Sequence, residues 1–213
     1  IVTITAGYER SCGTVGPNVW GHRWSLFGAV SAPQLDGKFV GAYPYGGYTQ
    51  QGETHAGGGD HMATIGILCH ELGHDIGLPD VYNTDTGGTA VGANSLMDVG
   101  SWGRGPSDYS GGSPAHIEPW GKVFLGFVTP TTVSGGEHTL KAASTGQYNV
   151  LKITTSDPNQ YFLVENRNRS GFDDGLYYDF ITNGGIAVWH IEEGIIGTYK
   201  NSNKVNGNGH DPG

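Results

Sequence analysis

The run CHELGHDIGLPD, residues 69–80, constrains this chain more than any other feature. His70, Glu71 and His74 fall within five residues, Gly77 and Pro79 follow, and Asp80 closes the run. The apolar positions Met62, Ile65, Leu68, Cys69, Leu72 and Ile76 recur at helical spacing. They predict a largely buried helix from about His61 to Ile76, with Asp60 as its cap. On a helix, positions i and i+4 stand one above the other on a single face, so His70 and His74 present two imidazoles to one point. Glu71 sits about 100° further round the helix. Gly77 admits a backbone conformation that turns the chain back, which brings the carboxylate of Asp80 towards the same point.

Two imidazoles and a carboxylate are the donor set of a catalytic zinc, which takes three protein ligands and keeps a fourth position for water and substrate. Glu71, displaced from direct ligation, is the expected general base that takes a proton from the attacking water and later passes it to a leaving amine. The pattern weighs against a pair of structural histidines, because two stacked core imidazoles beside a glutamate are costly to desolvate without a metal. A structural zinc commonly recruits cysteines and closes its fourth position, and this run suggests neither. Asp80 is the expected third ligand. Asp75 follows His74 directly and points away, Asp85 lies in a glycine-rich loop, and Asp98 follows Met97. Glu118 stays a rival, since some zinc peptidases draw a glutamate from a second helix.

IVTITA alternates apolar residues with threonine and predicts a strand, and KFVGAYPY predicts a second. SPAHIEPWGKVFLGF predicts another helix, with Ser113 as cap and Pro114 in the first turn. HTLKAA, NVLKITT, QYFLVENR and GGIAVWHIE alternate or run apolar between turn residues and predict a small antiparallel β lobe. The chain's 213 residues suffice for a core without disulfide staples. Thirty-eight glycines, 15% charged and 11% aromatic residues describe a loop-rich globular protein. The net charge of −9 excludes nucleic acid as an expected partner, because phosphate binding needs a basic surface. No apolar run has the length of a membrane span. Of the two cysteines, Cys12 and Cys69, the latter reads as a buried free thiol. The opening in mid-strand and the polar end predict that this chain is part of a longer precursor.

The motifs resemble a known family. HELGHDIGLPD followed by SLMDVGSW, with Met97 beneath the metal, resembles the metzincins in their aspartate-ligand form. The fuller resemblance is to secreted immune inhibitor A-type metallopeptidases, through AGYE, WGHRW, CHELGHDIGLPDVYNTD, NSLMDVGSWG, SPAHIEPWGKVFLGFVTP, YFLVENRNRSGFD and GIAVWHIEE. It implies a secreted zinc endopeptidase made as a zymogen, acting on protein or peptide substrates, with zinc held by His70, His74 and Asp80 and with calcium sites; the chain is expected to be a monomer. Asp80, Asn83 and Asp85, and Asp173, Asp174 and Asp179, are the expected oxygen clusters for calcium. The implied fold is α+β: a metzincin-like catalytic domain over residues 1–128 and a β-rich C-terminal extension over 129–213. Family members carry more chain before AGYE, so the upper lobe is expected to be incomplete. Some metzincins place a tyrosine just after the Met-turn, whereas Asp98 and Val99 follow Met97 here. Tyr82 and Tyr109 are weak candidates for an oxyanion role, and His22 and His190 read as structural. The reading from another class is a non-catalytic peptidase-like binding module with a structural zinc, against which Glu71 argues.

Overall fold

A computed structural model describes residues 1–26, 33–39, 41, 47–179 and 184–207. The chain divides into two compact units, Ile1–Gly77 and Leu78–Gly213.

The first unit contains β1 (Val2–Glu9), β2 (Asn18–Val19), β3 (His22–Trp24), β4 (Gln34–Leu35), β5 (Lys38–Phe39), β6 (Tyr48–His55), β7 (His61–Met62) and α1 (Gly66–Asp75). Its main sheet runs β2-β1-β6-β3, with β7 also paired to β6. β1 lies parallel to β2 and β6, while β3 and β7 run antiparallel to β6. Glu9 closes β1 fully buried, and its carboxylate accepts the amides of Gly21 at 2.8 Å and Gly52 at 3.1 Å. Gly52 has to be glycine on steric grounds, since an added Cβ would stand 2.6 Å from the Glu9 nitrogen. Of the expected second strand only Lys38–Phe39 is seen, as half of a hairpin turned by Asp36 and Gly37 at positive φ. Val40 and residues 42–45 lie outside the described residues.

The zinc-motif helix is shorter than its periodicity predicts. His61 and Met62 pair with β6 as a strand, the Asp60 carboxylate accepts the Tyr8 hydroxyl, and α1 starts at Gly66 without a side-chain cap. Nor is α1 largely buried. It packs on β6 and β3 with Gly66, Ile67, His70 and Gly73, while Ile65, Leu72 and Ile76 are exposed. One sheet covers one side of a helix, so the opposite apolar positions remain at the surface.

The second unit contains α2 (Pro119–Phe124), β8 (Thr131–Val133), β9 (Leu151–Thr154), β10 (Gln160–Arg167), β11 (Gly185–Glu192) and α3 (Glu193–Tyr199), with 3₁₀ turns at Gly92–Asn94, Val99–Trp102 and Gly171–Asp179. Its sheet runs β11-β10-β9-β8. The β11–β10 and β10–β9 pairs are antiparallel, and β8–β9 is parallel. HTLKAA forms no strand, contrary to expectation. Gly135 and Gly136 at positive φ precede it, it pairs with β10 only through an isolated Ala142–Asn166 bridge, and asparagine side chains take up other backbone groups. Asn149 accepts the Lys141 amide and donates to the Thr139 carbonyl, and Asn166 donates to the Leu140 carbonyl.

α2 also begins later than expected. Ser113 donates to Asp108 rather than capping a helix, and the first residue of α2 is Pro119. A proline disfavours helical geometry in the residue before it. Glu118 is accordingly extended and serves as the cap, accepting the Gly121 amide at 3.1 Å. Met97, Val150, Leu163 and Leu176 form the fully buried apolar centre. Beside it lies an ionic chain: Lys122 to Glu165, Glu165 to Arg167 and Arg167 to Asp173, at 3.2, 3.2 and 2.6 Å. Among the described residues no helix is long and apolar enough to cross a membrane.

Candidate metal centre

α1 sets two histidines one turn apart. The His70 and His74 rings lie 4.9 Å apart between centroids with their planes at 87°. His70 is buried, and His74 and Glu71 are half-buried. Asp75, at the end of the helix, turns to the sheet, where it accepts Arg23 Nε and the Thr49 hydroxyl, each at 2.8 Å. Those bonds anchor the last turn of α1 and keep Asp75 out of the donor group.

Beyond α1 the chain reverses. Ile76 ends the helix and Gly77 takes φ +101°. A side chain would be strained there, which is the physical content of the glycine in the motif. Leu78, Pro79 and Asp80 are buried. His70, His74 and Asp80 belong to one run of eleven residues, and their candidate ligand atoms all lie within 4.8 Å of one another. Among the described residues this is the only group of three or more histidine, cysteine, aspartate or glutamate donors so placed. Two neutral nitrogen donors and one carboxylate suit a zinc ion in both hardness and number.

The returning segment is held by residues far along the chain. The Asp80 amide donates to Asn203 Oδ1 at 2.6 Å, and Asn203 Nδ2 donates to Asp80 Oδ2 at 2.5 Å. Asn206 Nδ2 donates to the Val81 carbonyl at 2.6 Å. The Val81 amide donates to the Met97 carbonyl at 3.0 Å, so fully buried Met97 supports the strand of chain next to Asp80. Asp98 is an organiser of the following loop. Its Oδ2 accepts the amides of Ala90, Val91 and Gly92, and its Oδ1 accepts that of Val99. The rival Glu118 accepts the Ser95 hydroxyl at 2.5 Å as well as the Gly121 amide. Burial pushes its carboxyl above the usual range, against the pull of those hydrogen bonds.

Among the described residues neither Asp80 with Asp85 nor Asp173 with Asp174 belongs to a second group of metal donors, and the side chain of Asp179 lies outside the described residues. Asn83 Oδ1 accepts the amides of Asp85 and Thr86, and Lys204 reaches Asp85 at 2.7 Å. Asp173 is bound by Arg167 and by the His116 amide. Asp174 lies 3.6 Å from Arg169. His22 is half-buried between the Trp20 carbonyl and the Tyr48 hydroxyl, and His190 is exposed beside Gln160. Tyr109 is exposed. Cys12 and Cys69 are free and half-buried, the latter less enclosed than its sequence suggests; burial pushes both thiols up, Cys12 to about 11. Sequence reasoning missed Asn203 and Asn206 altogether. Their only local signal is an asparagine-rich turn sequence, NSNKVNGN.

A His-Glu-x-x-His helix followed by a glycine turn and an aspartate defines a metallopeptidase-type centre. Comparison with known proteins agrees. The family described as Immune inhibitor A peptidase M6, catalytic domain, matches residues 1–128. The chain belongs to this family and so stands among the metallopeptidases. It is 32% identical over 132 residues to the Pre-pro-metalloprotease PrtV of Vibrio cholerae serotype O1, covering 59% of this chain and 13% of that protein. It is 32% identical over 134 residues to Immune inhibitor A of Bacillus thuringiensis subsp. alesti, covering 59% of this chain and 18% of that protein. The chain thus spans less than a fifth of these curated relatives.

Proposed function

We propose that this chain carries the catalytic centre of a zinc-dependent endopeptidase that hydrolyses peptide bonds within protein substrates. The observation that supports it most is the grouping of His70, His74 and Asp80 donors within 4.8 Å, with Glu71 on the same helix. When bound, zinc supplies Lewis acidity that polarises the scissile carbonyl and acidifies the attacking water. His70, His74 and Asp80 hold it. The Glu71 carboxylate accepts the proton of the attacking water and passes it to the amine as the peptide bond breaks. Met97 supports the segment that carries Asp80. The fold reading that goes with this function is a metzincin-like catalytic domain over residues 1–128, with a C-terminal extension that is mainly antiparallel. The relatives' printed name, Pre-pro-metalloprotease, supports a secreted precursor for this chain also.

The test joins metal analysis to turnover. The protein should hold about one zinc per chain, and a chelator should abolish casein cleavage. Glu71→Gln should keep the zinc and lose roughly 10²–10⁴-fold in rate, since an amide cannot take the proton. Turnover within a few-fold of the parent in Glu71→Gln would remove the mechanism. Absence of zinc after refolding in its presence would remove the site.

A further inference from the structure

We infer that Asn203 is a positioning residue for the metal-binding carboxylate of Asp80, so that the turn after α3 is part of the metal centre. The inference rests on the reading of Asp80 as the third ligand. One planar carboxamide addresses two groups of Asp80: its carbonyl accepts the backbone amide at 2.6 Å and its amino group donates to Oδ2 at 2.5 Å. Among side chains of this length only asparagine offers an acceptor and a donor on one rigid plane; an aspartate offers two acceptors. The pair of bonds fixes the Asp80 carboxylate relative to its own backbone. A side chain that merely filled space would need neither bond.

Asn203 is itself held in place. Its backbone sits at φ +58°, a left-handed conformation that asparagine tolerates better than most residues. Its amide donates to the Lys200 carbonyl at 3.1 Å, and its carbonyl accepts the Thr84 hydroxyl at 2.8 Å. Two neighbours grip the same stretch of chain: Lys204 reaches Asp85, and Asn206 reaches the Val81 carbonyl. Five hydrogen bonds that involve side chains therefore tie residues 80–85 to residues 203–206. Asp80 is only 4% exposed, so its charge depends on donors supplied by the protein. A ligand held in its bound orientation loses less freedom when metal arrives, and loss of such an outer partner typically weakens metal affinity by about 10–100-fold. Residues 203–206 lie beyond the region matched by the family description, which ends at residue 128.

The test is a zinc titration of the full chain against a competing chelator, paired with thermal melts of the metal-free proteins. Asn203→Gly keeps the positive φ and removes the amide. It should bind zinc about 10–100-fold more weakly, while its metal-free melting temperature falls by no more than the few degrees that two lost hydrogen bonds cost. Asn203→Asp also tolerates the positive φ, and it replaces the donor facing Oδ2 by an acceptor; it should weaken zinc at least as much. In an Asp80→Ala background Asn203→Gly should cost nothing further, because its effect passes through Asp80. Unchanged zinc affinity in both Asn203 variants overturns the inference, as does an equal loss with and without Asp80. Normal zinc binding by Asp80→Ala instead overturns the ligand assignment on which the inference stands, and the two failures are distinct.

Discussion

Asp80 and Asp75 are five residues apart in sequence and have opposite fates. Asp80 is returned to the histidines by Gly77, whereas Asp75 is spent on Arg23 and Thr49. Asp80→Ala should therefore weaken zinc binding strongly, with the apo fold kept. Asp75→Ala should leave zinc affinity nearly intact and lower stability by about 1–2 kcal/mol, from one partly exposed ion pair and one hydrogen bond. Zinc titration and denaturant melts of both variants check this, and a zinc loss in Asp75→Ala alone would reverse the assignment. At this scale the centre was largely legible in sequence, because helical spacing and a helix-breaking glycine are local signals. Asn203 was not. It reaches Asp80 across 123 residues of separation, and no periodicity links the two.

Most elements with an apolar pattern were legible, the start of α1 and HTLKAA excepted, and a polar strand was not. β6 is the central strand of the first unit, yet YTQQGETH shows no apolar alternation. Its buried positions are Thr49, Gln51, Gly52 and His55, and polar bonds such as Thr49 to Asp75 and Gln51 to the Thr64 carbonyl tie them to their surroundings. The start of α2 was in principle readable from Pro119, which forces Glu118 into the extended cap position. That cap yields a prediction that separates structure from ligation. Glu118→Ala removes the acceptor for Gly121 and for the Ser95 hydroxyl, and should cost about 1–3 kcal/mol in a urea melt. Zinc stoichiometry should remain one per chain. Loss of zinc at unchanged stability would make Glu118 a ligand after all.

For the whole molecule, the sequence showed a family and a centre but not the ionic chain that joins distant parts of the second unit. Lys122, Glu165, Arg167 and Asp173 come from a helix, a strand and a 3₁₀ turn, and a charge at any one of them reads as surface when taken alone. The chain sets a direction for pH dependence. Burial alone would raise the Asp173 carboxyl, but the hydrogen bonds and charge of Arg167 outweigh it and hold the group below the usual range. Its contribution is present above the unfolded value near pH 4 and is lost as pH falls through the lower folded value. His116 is shifted down chiefly by burial, with Lys122 and Arg167 adding to the shift and Asp173 and Glu165 opposing it. His55 in the first unit is shifted down by burial and by His61. For both histidines the unfolded chain takes its proton first, at about pH 6.5, so stability falls as pH drops below that point. Histidines and aspartate thus act in the same direction in successive windows. Melts of the metal-free protein should show a falling melting temperature from about pH 7 to pH 5, with a steeper loss below about pH 4, by about 2–4 °C for each kcal/mol lost. His116→Gln should reduce the first slope and change the second only a little, because it removes a proton acceptor but keeps the Arg167–Asp173 bonds and the residue-116 amide that Asp173 accepts. A metal-free melting temperature that is flat or rises between pH 7 and pH 5, or a slope unchanged in His116→Gln, would show that these buried groups do not govern the acid response.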